Sequence, residues 1–203
     1  MTNTTFVFQD GNGPVPAHRH QNGGGWVADT AFADATVFIE QDARVYGKAR
    51  VSDNAWVCGN ARVCGNARVC GEARVSDNAQ VYGEARVSDN ARVCGNARVC
   101  GDARVCGKAL VYGDARVCDN ARVRGEALVY GEARVSDKAR VYGVVRSDGY
   151  CFVAVPCADG TRRVIAGCRY FTLLEARAHW NAGHPHSKES NAILDFFVAT
   201  GQM

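Results

Sequence analysis

VCGNARVCGNARVCGEARVSDNAQ, residues 57–80, runs through one six-residue pattern four times without a slip. The same period extends from Val27 to Arg146, which is 20 hexads, so reading one hexad reads more than half of the chain. Position one is Val or Ile except at Ala33. Position five is Ala except at Val37 and Val145, and position six is most often Arg. In Ala-Arg-Val-Cys, strand parity sends Ala and Val to one face and Arg and Cys to the other. The Gly-Asn or Asp-Asn pair that follows is corner chemistry, because these residues tolerate positive φ or cap a turn. Each hexad is therefore a short strand and a bend. Such a strand buries its apolar face only against stacked copies of itself, which makes an all-β solenoid. A fixed six-residue spacing does not supply the i, i+3, i+4, i+7 stripe of a helix.

Repeats such as VCGNAR at 57–62, 63–68 and 93–98 resemble the hexapeptide repeats of the acyltransferase and γ-carbonic-anhydrase superfamily. The runs are also similar to those of bacterial and phage-borne proteins with ARVYGNARV-type repeats. The resemblance implies a left-handed parallel β-helix, a triangular prism of about 18 residues per coil. It also implies a trimer, the usual assembly of that superfamily. The acyltransferases use a histidine base on the coil surface, and the carbonic anhydrases bind a metal through three histidines. Between Val27 and His179 this chain has no histidine. The prism then lacks a base of near-neutral pKa and a neutral nitrogen ligand. The sequence accordingly predicts a non-catalytic protein with no cofactor and no metal site.

Stacking every third hexad aligns the outward side chains in three rows. One row is Arg50, Arg68, Arg86, Arg104, Arg122 and Arg140. A second is Arg44, Arg62, Gln80, Arg98, Arg116 and Arg134. The third is broken: Phe38, Trp56, Arg74, Arg92, Leu110, Leu128, Arg146. Aligned guanidinium groups can hold an anion, and the first row is the candidate ligand-binding set. Against this, residues 27–146 carry 18 basic and 15 acidic residues. That balance predicts neutralisation by corner acids such as Asp53, Glu72, Glu84, Asp102 and Asp114. Phe38, Trp56, Leu110 and Leu128 mark a side suited to protein contact, together with Phe196 and Phe197, adjacent residues that cannot share one helix face.

The flanks differ from the repeat. Residues 1–26 read as a lead-in and cap, with a strand-like TFVF at 5–8 and Trp26 as a lid over the first coil. Residues 147–203 read as a small α+β cap. The cap begins with a hairpin signalled by Asp159-Gly160. A helix follows, opened by the capping box Thr172-x-x-Glu175, and a second helix runs from Ser187 or Ser190 to Thr200. Ile193, Leu194, Phe197 and Val198 form its apolar stripe.

The ten cysteines contain no C-x-x-C motif, and only Cys100 and Cys118 are 18 residues apart and hence stacked. Without a secretory leader the reading is a cytoplasmic protein with reduced thiols. His18, His20, His179, His184 and His186, with Cys151, Cys157 and Cys168, match no metal-ligand spacing and read as surface residues. A net charge of +3 is too balanced for a nucleic-acid binder, and no apolar run is long enough for a membrane span. The expectation is a scaffold or binding module acting through self-assembly, as a homotrimer, or through a macromolecular partner. Two alternatives stay open: a transferase with its site between subunits, and an accessory protein of phage or bacterial type that sequesters small anions on its arginine faces.

Overall fold

A computed structural model describes residues 4–148, 150–157, 161–166, 169–181, 183–201 and 203. The strands are β1 (Thr5–Val7), β2 (Pro14–Arg19), β3 (Trp26–Ala28), then eighteen short strands from β4 (Phe32–Ala33) to β21 (Arg134–Val135). After them come β22 (Arg140–Val145), β23 (Cys151–Pro156), β24 (Arg162–Ala166) and β25 (Arg169–Phe171), and the helices α1 (Leu173–His179) and α2 (Ser187–Ala199).

The solenoid reading holds. Each short strand pairs in parallel with the strand 18 residues along, as in Arg50↔Arg68↔Arg86. Three sheets of nine, ten and six strands form its sides, named here after Arg44, Arg50 and Trp56. The core is a pair of columns on every side: each position-one Val from Val45 to Val129, and each position-five Ala from Ala43 to Ala127, is 0% exposed. Small Ala beside branched Val lets three strands converge on one axis.

The corners explain why Asp and Gly exchange at position three. Asp53 (φ +61°) and Asp89 (φ +61°) occupy the left-handed region that glycine takes at the other corners. Their carboxylates each accept a backbone N–H from the coil above, Gly71 at 2.8 Å and Gly107 at 2.8 Å. Asp thus supplies an inter-coil hydrogen bond that offsets the strain of its backbone.

The N-terminal segment closes the Arg44 side. β1 and β2 form an antiparallel hairpin, and β2 continues onto β3. Phe8 is buried against Tyr46, with ring centroids 4.9 Å apart. Gln9 Oε1 accepts from Arg44 (3.0 Å) and Arg62 (3.2 Å). Trp26 is not a lid. It stands in register with Arg44 on the outer face, stacked on Phe6 at 4.3 Å with Arg19 4.1 Å from its ring centroid. Strand parity decides this: Trp26 precedes the inward Val27 and so takes position six.

The C-terminal end departs from the repeat one hexad early. β22 passes through Gly143 without turning and pairs antiparallel with β23 (Val144↔Phe152). Val144 stands where the hexads from Ile39 to Arg140 carry Asn, Asp, Glu or Lys, and a β-branched apolar residue favours continued strand. Arg146 therefore leaves the third row. It is 5% exposed, bonded to Asp148 (2.6 Å) and to Ser190 Oγ (2.9 Å). β23, β24 and β25 extend the Arg50 sheet as an antiparallel meander. The β23–β24 pairing is that of the expected hairpin, while its Asp159-Gly160 turn lies outside the described residues. The capping box forms: Glu175 N–H donates to Thr172 Oγ1 (3.1 Å) and Thr172 N–H to Glu175 Oε2 (2.7 Å). Both helices bury Trp180, Ile193, Leu194 and Phe197 against Phe152 and Val164, a second core distinct from the solenoid's. Val198, expected in the stripe, is 44% exposed. None of the described helices is long and apolar enough to cross a membrane.

Candidate binding face

The parallel register brings Arg50, Arg68, Arg86, Arg104, Arg122 and Arg140 into one row on one sheet. Neighbours are one strand spacing apart, about 4.8 Å. Phe32 begins the row, with the Arg50 guanidinium 5.2 Å from its ring centroid. A shallow groove of about 200 Å³ is lined by Lys48, Arg50, Asn66, Arg68, Glu84 and Arg86.

The expected neutralisation by corner acids is not found as ion pairs. Among the described residues the ion pairs are His18–Asp29, Lys108–Glu126, Arg146–Asp148, Arg163–Glu175, Arg177–Asp195 and His186–Asp148, none with an arginine of the row. Asp53 bonds the Gly71 amide and Asp114 accepts from Asn96 Nδ2 at 3.1 Å. Asp53, Asp77 and Asp89 thus face along the stack toward the next coil, while Glu84 lines the groove beside Arg68 and Arg86. One more arginine belongs to this face. Arg124 sits at position two and its Nε is enclosed with no hydrogen-bond partner. The sequence reading passed over Arg124 and Lys48; applying the 18-residue offset to positions two and four would have found both.

The other sides differ. On the Arg44 side the first two arginines are engaged by Gln9, and Arg44 lies 5.5 Å from the Phe6 ring centroid. On the third side Phe38 and Trp56 are in register, ring centroids 4.8 Å apart, and Arg74 lies 5.3 Å from the Trp56 ring centroid. Trp56 is 42% exposed, and Leu110 pairs in register with Leu128. Phe196 is 45% exposed while Phe197 is buried in the cap's own core.

The histidines have structural partners. His18 Nδ1 lies 2.9 Å from Asp29, and the buried His20 bonds the carbonyls of Asn22 and Asp34 (3.1 and 3.0 Å). His179 stacks on Phe171, and burial, then the charge of Arg169, depresses its pKa. No metal-competent cluster occurs among the described residues, which exclude Cys168 and the Cys151 side chain. Burial first of all raises the pKa of Cys58, Cys64, Cys70, Cys94 and Cys106, so these thiols are poor nucleophiles. Contrary to the expectation of free thiols, Cys100 and Cys118 are joined as a disulfide across adjacent coils, Cα atoms 4.6 Å apart. A second cleft, of about 480 Å³, lies between the last coil and the meander and includes Tyr130, Arg134, Cys157, Ile165 and Tyr170. No sequence signal marks it, because it depends on how the meander folds back.

The repeats match the YdcK β-solenoid repeat in nine stretches, residues 43–59, 55–71, 61–77, 67–83, 79–95, 85–101, 91–107, 97–113 and 115–131. The chain is a β-solenoid repeat protein with repeats of this kind. Among solved structures it is similar to the acetyltransferase domain of PglB from Neisseria gonorrhoeae, at 17% identity and TM-score 0.43. That alignment covers 58% of this chain and 53% of that one, so the chain spans about half the length of the gonococcal domain. It is also similar to a provisionally assigned acetyltransferase of Bacillus cereus, at 15% identity, TM-score 0.42, covering 84% of this chain and 88% of that one. A comparison with curated proteins found no match.

Proposed function

We propose that the chain is a non-catalytic scaffold and binding module that holds a macromolecular partner against its flat sides. The observation that carries this reading is the row from Arg50 to Arg140, six arginines in register, none of them ion-paired with a carboxylate among the described residues. Unpaired charge fixed on a rigid β-surface loses little conformational freedom on contact, which favours binding. Burial raises the pKa of the wall thiols Cys58, Cys64, Cys70, Cys94 and Cys106, which disfavours them as nucleophiles and supports this reading. Turnover of acetyl-coenzyme A with a panel of amine acceptors, followed by thiol release, tests the reading. No release above the buffer rate is the expected result. Acetyl transfer that disappears in His179→Ala or His184→Ala would replace the scaffold with an enzyme.

A second reading, self-assembly, is favoured by the exposed Trp56 beside Phe38 and by the Leu110–Leu128 pair on the third side. This side and the exposed Phe196 are the apolar surfaces through which copies would meet as a trimer.

A further inference from the structure

We infer that the Arg50 side is a docking track for a linear inorganic polyphosphate lying along the solenoid axis. The inference rests on the binding-module reading and names the chemistry of its partner. Between Arg50 and Arg140, positions six and two of this side hold seven arginines, Arg124 included, and no carboxylate. The acids stand at the corners. Of these, Asp53 and Asp89 are bonded to the amides of Gly71 and Gly107, and Glu84 borders the groove that also contains Arg50, Arg68 and Arg86. A straight row of like charges matches a linear anion better than a compact one.

What flanks the row identifies the kind of anion. Position two along this side is Ser52, Cys70, Ser88 and Cys106, small side chains with no ring, followed by Arg124 and, on the last strand, Tyr142. The only ring in the row itself is Phe32, at its first strand, under Arg50. Proteins that hold single-stranded nucleic acid alternate basic groups with aromatic platforms for the bases. This face offers none from Ser52 to Cys106. The protein places rings on its other sides, at Trp26, Trp56 and Tyr112, whereas on this side the stretch from Arg50 to Arg124 carries none at positions six and two. The face therefore suits an occupant that presents anionic oxygens and nothing to stack. A phosphate chain does so, and each guanidinium fork can take two oxygens of one phosphate.

End-labelled long-chain polyphosphate, titrated with the full chain at several potassium chloride concentrations, tests this by fluorescence anisotropy. The expected result is saturable binding that weakens linearly in log salt. Arg86→Gln with Arg104→Gln should reduce that slope by roughly 0.7 for each arginine removed. Arg74→Gln with Arg92→Gln, on the third side, should leave it unchanged. Circular dichroism melts confirm that both pairs keep the fold. Absence of saturable binding, or equal loss in both pairs, overturns the inference. So does tighter binding of oligothymidylate, which would make the partner a nucleic acid, or equal affinity for pyrophosphate, which would make the site a small-anion pocket. Failure of polyphosphate binding without acetyl transfer leaves the non-catalytic reading standing, since the two assays read different properties.

Discussion

The carboxylate of Asp89 reaches across a coil boundary to accept the amide of Gly107 at 2.8 Å, while its own backbone is held at φ +61°. Replacing Asp89 by Ala removes the acceptor and leaves a methyl-bearing residue in the left-handed region, a combined loss of about 2–3 kcal/mol. Asp89→Gly relieves the backbone and loses the hydrogen bond alone, about 1 kcal/mol. Urea unfolding of the two variants should rank them in that order. The reverse order would mean that the corner is held by something other than this contact.

Val93 is 0% exposed at mid-stack, and its neighbour Arg92 is exposed on the opposite parity. Val93→Asp buries an unpaired charge and should destabilise by several kcal/mol. Arg92→Ala should fall within about 0.5 kcal/mol of wild type. Thermal melts followed at 218 nm measure both.

Asp148 is held far below the usual carboxylate range chiefly by its hydrogen bond with Arg146, and Glu189 is lowered chiefly by the hydroxyl of Ser147. A carboxylate with a depressed pKa stabilises the fold fully above its unfolded value and loses that contribution as pH falls through the folded one. The junction of meander and α2 should therefore loosen on acidification below the ordinary carboxylate range, ahead of the solenoid. Emission from the buried Trp180, recorded in a Trp26→Phe, Trp56→Phe background, should shift red in that window. A shift that coincides with loss of the 218 nm signal would place the weakness in the solenoid instead.

Cys58, Cys64, Cys70, Cys94 and Cys106 have pKa values raised above that of a free thiol, burial being the main cause. Alkylation by iodoacetamide at pH 7.5, mapped by mass spectrometry, should be slower at these sites than in the urea-unfolded chain and should rise on going to pH 10. Rapid modification at neutral pH would show an activated thiolate.

Trp56→Arg combined with Leu128→Arg should convert a trimer to monomer in sedimentation velocity if copies meet through the third side. A wild-type chain that sediments as a monomer at micromolar concentration would leave Trp56 as a ring packed only on Phe38 and Arg74.

The rows of outward side chains from Phe38 to Arg140 were legible from the sequence, because an 18-residue coil and strand parity place those repeat residues by arithmetic alone. Arg50 through Arg140 fell into line for that reason. The partners of the corner acids were not legible. Counting charges pairs acids with arginines, whereas the geometry of a left-handed corner aims the Asp carboxylate along the stack at an amide. Arg146 was misplaced because periodicity places an arginine there without regard to Val144, whose preference for continued strand removes the bend. The division between Phe196 and Phe197 was expected from helix geometry. That Phe197 enters the cap's own core depends on the meander, which has no period to read.

Every coil hands the next the same pattern of amides and carbonyls, from Arg50 N–H on Ala67 to Arg122 N–H on Ala139. Inserting or deleting 18 residues at a corner therefore changes no register, no core contact and neither end. The molecule behaves as a ruler with graduations of one strand spacing, about 4.8 Å. Duplication or loss of a coil would lengthen or shorten it, and would add or remove one member of each outward row, while the ends stay as they are.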